Sequence, residues 1–174
     1  MRGNGLDTLN VDLKNFSQDY KTIEVTLGDE YFSSTEDKEI KGGDVSVRLD
    51  VHRVTDKSFD INFHIEGEVE VECCRCLDNV RVAVATDRRL MAKLGGESDG
   101  DTLLAVDEKD GILDISWLIY EFVALSLPIN PTHAKGECNS DMMRILGEHS
   151  AEKKDEEETT DPRWDKLKNL KSNN

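Results

Sequence analysis

Bases are scarce in this sequence. Against 37 Asp+Glu stand 22 Lys+Arg, a net charge of −15 at pH 7. A surface this acidic repels phosphate at long range, which excludes a nucleic-acid footprint over the whole molecule and favours basic partners. Long apolar runs are missing too. No stretch approaches the ~18–20 consecutive apolar residues of a spanning helix, so no membrane association is expected. The N-terminal residues Met1–Asp7 hold no apolar signal core. Secretion is therefore not expected, and a cytoplasmic location is. There is neither a P-loop nor a nucleophile elbow, and no catalytic activity is expected.

What is present suits one domain with tails. At 174 residues a core can be buried without disulfides or a metal. The charge is unevenly spread, and residues 148–160 read as an acidic disordered linker. The expected organisation is a single α+β domain over 1–147, that linker, and a short helix or tail over 161–174. The tail opens on Asp161-Pro162, a capping residue followed by a proline at the first helical position. Trp164, Leu167 and Leu170 make its small apolar face.

Period-two alternation dominates the first hundred residues. Leu9, Val11 and Leu13 suggest one strand, and Tyr20 to Leu27 a second. Val45 to Val51 and Phe59 to Cys73 alternate apolar with polar residues and are joined by a hairpin at Thr55-Asp56-Lys57-Ser58. Gly42-Gly43 reads as a turn, and Gly67 as a site for a break or bulge. A third run extends from Val80 to about Leu94 and ends at Gly95-Gly96, followed by an acidic loop over 97–111. One-sided strands with short turns predict an antiparallel sheet that could close toward a barrel.

The period then changes. Asp114 can cap a helix in which Ile115, Leu118, Ile119, Phe122 and Leu125 face the sheet, stopped by Pro128 and Pro131. A second short helix is predicted from Asn139 to Glu148. His52, His64 and His149 are expected at the surface without partners, and Glu66, Glu68, Glu70 and Glu72 on a solvated strand face.

The cysteines are the sharpest signal. In a cytosolic protein clustered thiols bind metal or do redox chemistry more often than they form staples. Cys73-x-x-Cys76 can chelate one metal from a tight turn, and His133-x4-Cys138 would complete a three-thiolate, one-imidazole zinc shell. Other readings stay open: Cys73 as a core hydrophobe on the dry parity of its strand, or the pair as a redox couple. The redox reading is the weaker one, because no βαβ pattern surrounds the motif. Cys74 falls on the wet parity. Against the global sign, Arg75, Arg81, Arg88, Arg89 and Lys93 make a local excess of base that could touch RNA, or could balance the neighbouring acidic strand.

These residues carry a resemblance. Gly67-Glu68-Val69-Glu70-Val71-Glu72-Cys73-Cys74-Arg75-Cys76-Leu77 resembles the corresponding segment of the YceD family, the large ribosomal RNA subunit accumulation proteins. So do Leu113-Asp114-Ile115-Ser116, Tyr120-Glu121, Leu125-Ser126-Leu127-Pro128, His133 and Cys138. The C-terminal Asp161-Pro162-Arg163-Trp164 is similar to Bacteroidetes members. The resemblance implies a non-catalytic role in processing or accumulation of large-subunit ribosomal RNA, with that RNA or a basic ribosomal protein as partner. It points to Cys73, Arg75, Cys76, Asp114, Glu121, Pro128, His133 and Cys138 as the positions that matter. A zinc-binding or redox thiol protein is the alternative. The oligomeric state is left open.

Overall fold

The computed structural model describes residues 9–35, 39–98 and 103–150. The chain divides after Asn139 into two units.

The first unit is α+β. Its main sheet has five strands in the order β2-β3-β4-β5-β6. These are β2 (Tyr20–Leu27), β3 (Ile40–Thr55), β4 (Ser58–Glu72), β5 (Asn79–Leu94) and β6 (Leu103–Val106). A two-stranded sheet pairs β1 (Asn10–Asp12) with β7 (Ile112–Asp114). With β2 and β6 as its edges, the main sheet is open and does not close into a barrel.

The alternation sets the layers. Val45, Val47, Leu49 and Val51 of β3 lie opposite Gly67, Ile65, Phe63 and Ile61 of β4. All of these apolar side chains are essentially inaccessible to solvent. Burying each is worth about 1.5–3 kcal/mol, so the register cannot slip by one residue without turning the whole set outward. Helix α2 (Ser116–Ser126) covers this face. Phe122 meets Phe63 edge-to-face with ring centroids 5.2 Å apart.

Several expectations need correction. Gly42-Gly43 is no turn but part of β3. A Cβ on Gly42 would stand 2.5 Å from Asp29 Oδ1, and one on Gly43 2.5 Å from the Glu68 carbonyl oxygen. Asp29 belongs to α1 (Asp29–Ser34), a helix too short to show a period, and its carboxylate accepts the Gly43 N–H at 2.8 Å. The glycines admit that approach. Gly67 neither breaks nor bulges β4: the pairing with β5 runs unshifted from Ser58 to Glu72. The acidic loop contains β6, which pairs parallel with β5, so the sheet is not wholly antiparallel.

Helix α2 begins at Ser116, not at Ile115. Asp114 is the last residue of β7, and its carboxylate accepts the Ser116 N–H at 2.8 Å from there. Of the predicted stripe, Ile115, Ile119 and Phe122 are buried, whereas Leu125 is 65% exposed. Tyr120 and Val123 are buried instead.

In the second unit, α3 (Ser140–His149) carries an Arg144–Glu148 ion pair at 2.7 Å and half-open Met143, Ile145 and Leu146. The acidic segment from 151 onward and the expected helix over 161–174 lie outside the described residues.

Candidate metal centre

Where β4 ends, the chain folds into a tight turn. Cys73 N–H donates to the Asp78 carbonyl at 2.9 Å, and Leu77 N–H to the Cys73 carbonyl at 3.0 Å. Closing the turn puts Leu77 at φ 64, a left-handed conformation that costs a non-glycine residue about 1–2 kcal/mol. The turn then leads directly into β5. Cys73 and Cys76 are buried by it, while Cys74 faces solvent.

The segment after α2 comes back to the same place. Cys74 N–H donates to the Pro131 carbonyl at 2.9 Å, which pins the proline-flanked stretch against the turn. That brings His133 and Cys138 to the two buried thiols. One ligand atom from each of Cys73, Cys76, His133 and Cys138 lies within 4.8 Å of the others. A tetrahedral zinc with thiolates at about 2.3 Å has ligand–ligand edges of about 3.8 Å, so small side-chain movements suffice to close the shell. The donor set of three sulfurs and one imidazole fits zinc by chemistry as well as by spacing.

The electrostatics agree. Burial pulls the Cys73 thiol upward. Hydrogen bonds from the backbone N–H groups of Cys76 and Arg75 and from His133 outweigh it and hold the group down at about 5. Arg75 N–H lies 3.5 Å from Cys73 Sγ. His133 is held above its ordinary value, first by its hydrogen bond to Cys73 and against the effect of burial. Its Nδ1 is 3.4 Å from Cys76 Sγ, and its Nε2 is 3.1 Å from the Asn79 carbonyl oxygen. A carbonyl only accepts, so Nε2 carries a proton and the Nδ1 side of the ring addresses the sulfurs, as a metal-bound histidine requires. Burial raises the Cys138 thiol, helped by the neighbouring Cys73 and Cys76.

Sequence reasoning named these four side chains. It missed the carbonyls of Asn79 and Pro131 that orient them, because backbone acceptors carry no residue-type signal. It also misjudged His64, whose Nδ1 is 2.6 Å from Asp87 and whose Nε2 is 3.5 Å from Asp50.

The five bases do not form one patch. Arg75 is exposed on the turn. Arg81 lies opposite Glu70 on the wet face of the sheet, and Lys93 opposite Ser58. Arg89 is held bidentately by Asp60 at 2.8 and 2.7 Å. Arg88 takes the opposite parity, across from Phe63. The wet face is mainly acidic: cross-strand register places Glu24, Asp44, Asp50, Asp60, Glu66, Glu68, Glu70, Glu72 and Asp87 on it, against Arg48, Arg81, Arg89 and Lys93. No helix among the described residues is long and apolar enough to cross a membrane.

The fold and site define an α+β protein with a three-cysteine, one-histidine cluster at one end of an open sheet. The family model described as large ribosomal RNA subunit accumulation protein YceD matches residues 61–171, more than half of the chain, including β4 from Ile61 onward, α2 and all four cluster residues. The chain belongs to that family, and its name places the protein among those involved in accumulation of large-subunit ribosomal RNA. No curated protein and no solved structure matches it.

Proposed function

We propose that the protein supports accumulation of large-subunit ribosomal RNA without catalysis, as a cytoplasmic factor that holds a basic ribosomal protein, with one structural zinc ion at Cys73, Cys76, His133 and Cys138. The observation that carries this reading is the donor set: four protein ligand atoms within 4.8 Å of one another. Four protein ligands close a zinc shell, whereas a catalytic zinc keeps a position open. The cluster is then a clasp that ties the β4–β5 turn to the segment after α2, and the work is done by the surfaces it braces.

Charge favours a protein partner over RNA. The chain carries −15, and of the bases that could meet phosphate Arg75 lies on the turn, Arg88 on one face of β5, and Arg81, Arg89 and Lys93 on the acidic face, where Asp60 already clamps Arg89. The redox reading has the fuller donor set against it: a thiol pair alone has no use for His133 and Cys138.

Affinity capture with the tagged full chain, before and after RNase, tests the partner. Recovery of a large-subunit ribosomal protein that survives RNase is the expected result. Recovery only while RNA is intact would contradict it.

A further inference from the structure

Helix α2 is apolar on nearly every side: Trp117, Leu118, Ile119, Tyr120, Phe122, Val123, Ala124 and Leu125 leave Glu121 as its one charge. Such a helix normally lies wholly inside a core. Here only one side is covered. Trp117 is 57% exposed, Leu125 65%, and Ile129 just beyond the helix 96%. Leu125 and Ile129 border a groove of about 580 Å³ that also takes in Val71, Cys74, Pro128 and Pro131. One wall of this groove is the segment fastened to the cysteine turn by the Cys74–Pro131 hydrogen bond. Leu125 and Ile129 thus stand as exposed apolar side chains beside one groove, the arrangement that seating an apolar anchor requires.

The charge around it selects the occupant. Glu39 and Glu72 line the groove beside a single base, Lys41, which is itself 3.8 Å from Glu72. Glu121 faces solvent on the same helix. A second copy of the chain would bring −15 against −15. An RNA would meet like charge and offers no aliphatic anchor.

We infer that this groove docks a lysine- and arginine-rich segment of a partner protein through apolar anchors seated against Leu125 and Ile129. The inference deepens the reading of a basic ribosomal protein as partner by giving that partner its place on the surface.

The test is a fluorescence titration of the full chain with two labelled probes: a lysine-rich peptide carrying two leucines, and the same peptide with both leucines replaced by serine. Leu125→Glu and Ile129→Glu are made separately. Both positions are exposed, so the core is untouched, and each change adds negative charge. If the groove anchors leucine, each variant binds the leucine peptide roughly tenfold more weakly despite its extra acid, and the serine peptide binds poorly throughout. Equal binding of the two peptides, or tighter binding by the variants, would show attraction by net charge alone and overturn the inference. A wild-type dimer that Leu125→Glu dissociates would put a second copy in the groove and overturn it too. The RNase experiment reads the class of partner, not the groove, so the two proposals fail separately.

Discussion

Cys73, Cys74 and Cys76 are the same residue type within four positions, yet the fold separates them: Cys73 and Cys76 are buried beside His133 and Cys138, and Cys74 is exposed. Serine at Cys76 removes a ligand and is expected to lower the melting temperature by roughly 10 °C, the scale of a lost metal site, with zinc no longer retained. Serine at Cys74 is expected to change neither, and calorimetry with metal analysis compares the two. Asp50 makes a second residue-level prediction. Hydrogen bonds from the Thr22 and Tyr20 hydroxyls, both 2.7 Å, hold its carboxyl below the ordinary carboxylate value. A folded-state pKa below the unfolded one stabilises the fold above the unfolded value, 3.8, and that stabilisation is lost as pH falls through the folded value. Urea unfolding between about pH 5 and pH 2 is thus expected to show the wild type's advantage over Asp50→Asn shrinking toward the acid end. A constant difference would contradict the assignment.

Strands β3, β4 and β5 carry the structure, and two glycines allow two of them to run so long. A Cβ on Gly67, where φ is +157, would collide with the Asp44 carbonyl oxygen, and nothing in that backbone contact is free to move aside. Gly67→Ala is expected to cost at least about 2 kcal/mol in denaturant unfolding. Gly147→Ala in α3 meets nothing within 4 Å and is expected to raise helix content, since alanine favours a helix interior by about 1 kcal/mol. Most of the sheet was legible in the sequence because dry and wet residues alternate from Phe59 to Cys73 on either side of Gly67, and one face of β3 and of β4 is buried. Helix α1 was not, being six residues anchored by the Asp29 contact to Gly43, a long-range feature that no local pattern announces. Strand β6 was hidden for a similar reason: four residues pair parallel with the end of β5, and so short an apolar run has no measurable period. The turn read at Gly42-Gly43 failed because glycine there serves close approach, not chain reversal.

At the scale of the molecule, the proposed function divides the labour between a net charge of −15 and the cysteine–histidine cluster: a zinc clasp would fix one end of the sheet, and the acidic surfaces around it would meet the partner. The four residues of the cluster were legible because Cys-x-x-Cys and a following His and Cys are rare in combination. What no spacing could supply was that the stretch after α2 returns to the turn, which depends on the Cys74–Pro131 and His133–Asn79 backbone contacts. The same clasp should make folding depend on metal, so a strong chelator is expected to lower the melting temperature about as far as Cys76→Ser does, with zinc restoring it. The most direct test of the account is the metal content of untagged protein, with reactive thiols counted alongside. One zinc per chain, with Cys74 alone reacting until a denaturant or chelator is added, is the predicted result. No bound metal and four freely titrating thiols would contradict it.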